Sequence, residues 1–170
     1  MSTVAVLTPK QQFLDAYLRE GATTLRVLRA YPTDKSELRP HRMCKTAREL
    51  AWMFVLEQGM SEKALTTGFD WSVPPAMPPA PASLQEVIDA FDGAHQRVAS
   101  LVRDFPGERL TGTVQFFTGP KTLGDLPLAE VLWMFLCDQI HHRGQFSIYL
   151  RMADGKVPSI YGPTADEPWM

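Results

Sequence analysis

Residues Asp125–Ala153 read DLPLAEVLWMFLCDQIHHRGQFSIYLRMA, and Asp154–Gly155 follows as a helix-ending pair. This stretch predicts one long helix from near Asp125–Leu128 to about Ala153. Within it, Val131, Leu132, Trp133, Met134, Phe135, Leu136 and Cys137 are apolar in succession. Such a run covers nearly two turns on every side. A helix that is apolar all round must be buried all round, and one core uses only one face. Two covers are available for the rest. One is a second copy in a homodimer, with Trp133 and its neighbours on the outer side of this helix contributing to the interface. The other is the connection at Glu108–Gly124, which carries Phe116 and Phe117.

Three further amphipathic segments precede this helix. From about Pro9 to Ala30, Thr8 serves as N-cap, Pro9 fits the first helical position and Gln11 completes a capping box. Leu14, Leu18, Leu25 and Leu28, with Tyr17 and Ala22, mark its apolar stripe. From Thr46 to beyond Gln58, Thr46 and Glu49 form a second box, and Leu50, Met53, Phe54 and Glu57 lie on or near one face. From about Leu84 to Phe105, Ser83 and Glu86 form a third box. The stripe there is Leu84, Val87, Phe91, Ala94, Val98, Leu101 and Phe105. Between the second and third segments, VPPAMPPAPA at Val73–Ala82 reads as a stiff polyproline connector. Thr113–Phe117 can pair briefly as a strand. The tail from Lys156 reads as an extended strap. The expected fold is all-α: a four-helix bundle with long inter-helix connections and an extended C-terminal tail, forming one domain over residues 1–170.

Composition narrows the function. Lys and Arg number 17 against 19 Asp and Glu in 170 residues, so no positive field draws in nucleic acid. No apolar run approaches the roughly 20 residues of a membrane span, and the N-terminus lacks a secretory pattern. Cys44 and Cys137 are too few for a disulfide framework and are read as reduced, mostly buried thiols. The expected compartment is the cytoplasm.

The chemistry-bearing stretch is CDQIHHRGQ at Cys137–Gln145. Asp138 and His142, four apart, share a helix face. That face continues through Val131, Phe135, Gln145 and Tyr149, and its apolar members turn it inward. Both side chains are therefore expected in one interior pocket. A carboxylate and an imidazole at this spacing can grip one divalent cation. The plainer alternative is a buried Asp–His hydrogen bond that orders the helix, and spacing alone favours it. His141, about 100° around the helix, cannot face the same point. Arg143 can bind an anionic substrate group bidentately or form a surface ion pair. With Tyr149 it makes up the candidate substrate-binding pair.

CDQIHHRGQFSIYLRMADGKVPSIYGPTADE at Cys137–Glu167, preceded by LRPHRMCKTARELAWMF at Leu38–Phe54, resembles the DinB-like superfamily, also called the YfiT-like metal-dependent hydrolases. HHRGQ, Leu150, Val157–Pro158, Tyr161–Gly162–Pro163 and Asp166 occur in the family's order. The resemblance covers nearly the whole chain. It implies a dimeric DinB-type four-helix bundle with a three-ligand site, commonly three histidines holding zinc or nickel. Relatives of this kind include bacillithiol S-transferases and a mycothiol-dependent isomerase, in which the metal activates a low-molecular-weight thiol. On that pattern His142 matches the last ligand. Asp138 stands where a histidine or glutamate is usual, and Met53 takes the place of the second-helix histidine. A thioether is a poor ligand for such ions. Glu57, one turn beyond Met53, and His95, beside the third helix's stripe, are the candidate replacements. The alternatives are a helix-surface charge for Glu57 and a hydrogen-bonded boundary residue for His95. His41, in the RPH segment, is expected to fix a turn.

Two functions follow from the resemblance. One is metal-assisted thiol transfer or hydrolysis at a degenerate metal site between the second and fourth helices, with a low-molecular-weight thiol or other small molecule as substrate. The other is a non-catalytic bundle that lacks the ion and binds a small ligand or serves as a dimeric interaction module. Neither involves nucleic acid or a membrane.

Overall fold

The computed structural model describes residues 6–73 and 77–170. It contains helices α1 (Pro9–Arg29), α2 (Ala47–Leu65), α3 (Leu84–Asp104) and α4 (Leu128–Met152), and strands β1 (Thr113–Gly119) and β2 (Thr122–Pro127). The first three helices start where the sequence places them. At each, the Ser or Thr side chain accepts the N3 amide and the N3 Gln or Glu side chain reaches back to the cap amide. At the end of α4 the left-handed residue is Asp154, with φ of 60°, rather than Gly155. Gly155 is needed for closeness instead: its amide donates to the Leu150 carbonyl at 2.9 Å, and an added Cβ would sit 2.2 Å from a Leu150 methyl carbon.

Helices α1 and α2 each pack against both α3 and α4. The inward face of α1 is Phe13, Ala16, Tyr17, Glu20, Gly21, Thr24, Val27 and Leu28. The expected leucine stripe is therefore displaced: Leu14, Leu18 and Leu25 are half-buried at its flank, and Ala22 is exposed. The reason is close approach at mid-helix. A Cβ on Gly21 would overlap the His95 ring, which packs directly on the α1 backbone.

The interior divides into two apolar clusters. One gathers Phe13, Tyr17, Leu65, Val98, Val131 and Leu136, with Val102 and Phe135. The other gathers Leu28, Phe54, Leu84, Phe91, Phe146 and Leu150. Their sequence ranges on each helix leave a middle section that carries buried polar residues: Glu20 and Thr24 on α1, Glu57, Gln58 and Ser61 on α2, His95 on α3, and Gln139 and Arg143 on α4. Polar side chains at core depth require partners. Their arrangement determines the site described below.

The fold differs from the all-α expectation in the Glu108–Gly124 connection. There β1 and β2 form an antiparallel hairpin, turning at Pro120–Lys121, where Lys121 adopts φ of 59°. The hairpin runs longer than the brief strand at Thr113–Phe117, because Thr122–Pro127 supplies it with a full partner. It lays Phe116 edge-on to Phe135 of α4 at 5.2 Å. That covers one flank of the apolar run. Trp133 packs edge-on to Phe13 at 5.2 Å but stays 40% exposed, and Met134 stays 36% exposed.

Part of the proline-rich connector, residues 74–76, lies outside the described residues. Beyond it, Pro78 accepts a hydrogen bond from the Trp52 indole at 2.7 Å, and Pro81 accepts one from Arg48 at 2.8 Å, so this segment lies along α2. The C-terminal strap is anchored by side chains: Asp166 pairs with Arg151 and accepts the Val157 amide, and Ser159 donates its amide to Glu167 at 2.6 Å. Both cysteines are free. Cys137 is exposed, against the expectation of burial, because it falls on the outer side of α4; Cys44 is half-buried. Among the described residues, no helix is long and apolar enough to cross a membrane.

Candidate metal centre

The polar section of α2 and the HHRGQ stretch of α4 meet at three side chains. Glu57, Asp138 and His142 each offer one ligand atom, and these atoms lie within 4.8 Å of one another. The Glu57 Oε1 lies 2.5 Å from Nδ1 of His142, and Asp138 Oδ2 lies 4.0 Å from the same nitrogen. Glu57 is drawn inward because it falls on the face of α2 that also buries Leu50, Ala51, Phe54, Gln58 and Ser61. The alternative of a helix-surface charge is therefore set aside. Edge-on to the His142 ring, at 6.4 Å between centroids, stands Phe54.

The expectation that Asp138 and His142 both point into an interior pocket holds only for His142. The Asp138 side chain is 52% exposed, while that of His142 is 17% exposed. The reason is angular: on α4 the deepest line is Leu132, Phe135, Gln139, Arg143, Phe146 and Leu150. Asp138 lies beside that line and reaches the group from its solvent edge.

Electrostatics differ sharply across the group. Burial pushes the Glu57 carboxyl up to about 7, and the neighbouring His142 only partly offsets this. His142 is shifted upward, chiefly by its bond to Glu57 and against the effect of burial. Both members of the contact therefore hold a proton more readily than they would in water. The second oxygen of Glu57, Oε2, is buried and has no hydrogen-bond partner. An orphaned carboxylate oxygen at core depth is costly. A cation beside it would satisfy it, and a carboxylate–imidazole–carboxylate set is chemically suited to a divalent ion. The three residues present could therefore hold a divalent metal ion.

The remaining candidates lie elsewhere. Met53 is half-buried and lines a groove with Trp52, Leu56 and Pro78 on the connector side of α2. His95 is buried between Tyr17, at 4.4 Å between centroids, and Phe91, at 5.8 Å. Burial lowers its pKa to about 4, and its Nδ1 has no partner. It is a core residue outside the three-residue group. His41 accepts the Met43 amide at 3.2 Å and shapes the turn before α2.

Arg143 and Tyr149 are tied to the protein. The Arg143 guanidinium, 1% exposed, donates to the Glu20 carboxylate at 2.7 Å, the Glu20 carbonyl at 3.0 Å, Thr24 at 3.3 Å and the Tyr161 hydroxyl at 2.6 Å. Tyr161 in turn donates to Glu20 at 2.7 Å. Burial raises the Glu20 carboxyl, but the bonds from Tyr161 and Arg143 outweigh it and hold the group below its ordinary value. Tyr149 donates to the Lys45 carbonyl at 3.0 Å. Sequence reasoning missed Glu20 and Gln139. The available signal for Glu20 was its place in the i, i+3, i+4 series Phe13, Ala16, Tyr17, Glu20, Gly21, Thr24.

Comparison with known proteins agrees with this architecture. The sequence pattern of the DinB superfamily matches residues 16–146. The chain belongs to the DinB superfamily. An uncharacterised protein of Bacillus subtilis strain 168, YrdA, is 26% identical over 158 residues, covering 91% of this chain and 89% of its own. Two solved structures share the fold. A DinB-like protein from Bacillus cereus ATCC 10987 superposes with a TM-score of 0.70 at 20% identity, covering 88% of this chain and 95% of its own. The DinB-like protein YjoA from Bacillus subtilis gives 0.70 at 13% identity, covering 94% and 99%. In this DinB chain the tail signature has a structural role, since Tyr161 and Asp166 fasten the strap to Arg143 and Arg151.

Proposed function

We propose that the four helices act as a bundle that presents a divalent-metal site formed by Glu57, Asp138 and His142, and that the protein is a metal-dependent thiol transferase or hydrolase. The observation that carries this reading is the buried, unpartnered Oε2 of Glu57, whose other oxygen contacts His142, with Asp138 at the open edge. When bound, the cation supplies Lewis acidity and lowers the pKa of a coordinating thiol or water. The chain's own residues do the rest. Glu57 and His142 would hold the cation, and would have to be free of protons to do so. Phe54 walls the inner side of His142 against water. Asp138, being half-exposed, leaves the solvent side open to a substrate.

One observation favours the non-catalytic alternative. The 2.5 Å contact between Glu57 and His142 links α2 to α4 without any ion. Calorimetric titration separates the two. With zinc, nickel and manganese, the wild-type protein should bind near one equivalent of at least one ion. Glu57→Gln and His142→Ala should each lose at least the roughly 10–100-fold that accompanies damage even to groups supporting a ligand. Equal, weak affinities in all three proteins would leave the pair as a helix-to-helix contact and nothing more.

A further inference from the structure

Next to the metal group, one face of α4 and Phe116 of the hairpin border an open cleft of about 560 Å³ lined by Phe116, Met134, Phe135, Cys137, Asp138 and His141. Its volume is in the range of small-molecule sites, roughly 300–1,000 Å³. Its polar residues, Asp138 and His141, lie together on α4, and Asp138 also belongs to the candidate metal centre. Its apolar members are two aromatic rings, Phe116 and Phe135, set edge-to-face at 5.2 Å, and the flexible thioether of Met134. A face of this kind attracts flat apolar groups through dispersion and ring-edge contacts. The chain's near-neutral charge supplies no strong field for an ion.

We propose that this cleft seats the apolar body of the substrate, so that the ligand class is a small molecule with an aromatic or branched-apolar body and one metal-binding head directed at Asp138. The head's role rests on the metal-site reading. The body's binding rests on the cleft alone. Cys137, exposed and in the lining, reports on occupancy without any knowledge of the natural ligand.

The test uses the full-length protein and two thiol reagents, N-phenylmaleimide and N-methylmaleimide. In each case the Cys137 sulfur adds across the maleimide double bond and a proton goes to the neighbouring carbon. Mass spectrometry separates Cys137 from Cys44, and the same pair of reagents on N-acetylcysteine gives the intrinsic rate ratio. The cleft predicts that Cys137 prefers the phenyl reagent several-fold beyond that intrinsic ratio. Phe116→Ala should remove the excess preference. Phe117→Ala should leave it, because Phe117 packs on Trp71 at 4.7 Å and does not line the cleft. Met134→Gln is the second lining variant, with the same expected loss, and decides the matter if Phe116→Ala disturbs the hairpin. Glu57→Gln should keep the excess preference while losing metal affinity. A failed metal titration and a failed cleft are then separate results. An intrinsic ratio at Cys137 of the wild type, or an excess that survives both lining variants, overturns the proposal.

Discussion

Glu57 is the residue on which the site turns, and the sequence offered it only as one of two replacements for a missing histidine. Spacing puts Glu57 one turn from Met53 but does not say which of the two faces α4. Packing decides: Phe54, Gln58 and Ser61 turn that face of α2 inward and leave Met53 half-buried beside the proline connector. Two outcomes follow at this scale. Because the Glu57 carboxyl is pushed up to about 7 and His142 is also shifted upward, protons compete with a cation below neutral pH. Metal affinity measured by titration calorimetry should climb as pH is raised through about 7 and flatten only above it, once both groups have lost their protons. Met53→His should change that affinity far less than Glu57→Gln, since the third position is already filled.

His95 makes a separate prediction from its burial. Its pKa is about 4 in the folded protein against an ordinary 6.5, so between these values the unfolded chain binds more protons. The contribution is therefore fully present above about pH 6.5 and is lost as pH falls towards 4, by on the order of 3 kcal/mol. Urea unfolding of wild type and His95→Gln from pH 4 to 7 should show a steeper acid loss in the wild type. Parallel curves would contradict it.

Elements were read more surely than faces. Three capping boxes and the Asp154–Gly155 stop fix the helix boundaries locally, through bonds made within about one turn of each end. The orientation of α1 was misread, because its centre is set by contacts distant in sequence: Gly21 against His95, and Glu20 with Thr24 against Arg143. Arg143 itself was read as surface or substrate-binding, since nothing near it in sequence announces a partner 123 positions away. The strap is held to the helices by this cluster. Arg143→Leu leaves the buried Glu20 carboxylate only the exposed Arg19, at 3.6 Å, as a cation, which should cost about 3 kcal/mol. Tyr161→Phe removes only hydroxyl bonds and should cost about 1–2 kcal/mol. Denaturant melts of both variants test the order. A Tyr161→Phe loss as large as that of Arg143→Leu would mean that the strap, and not the buried ion pair, carries the effect.

At the scale of the whole molecule, the four-helix order was legible because each helix carries its own periodicity. The long hairpin was legible only as a brief strand, since β2 has weak strand character alone and gains its pairing from β1. Phe116 covers the Phe135 side of the apolar run, and the exposed Trp133, which does not line the cleft, remains as the surface on which we propose that a second copy docks. Sedimentation equilibrium at micromolar concentration should show a dimer that Trp133→Glu dissociates; a monomer throughout removes the second copy. The metal centre is the central claim, and an anomalous-difference Fourier map from crystals of untagged protein purified without added metal tests it most directly. The account predicts a single strong peak bounded by Glu57, Asp138 and His142, and a map with no peak there, or with its peak elsewhere, would contradict it.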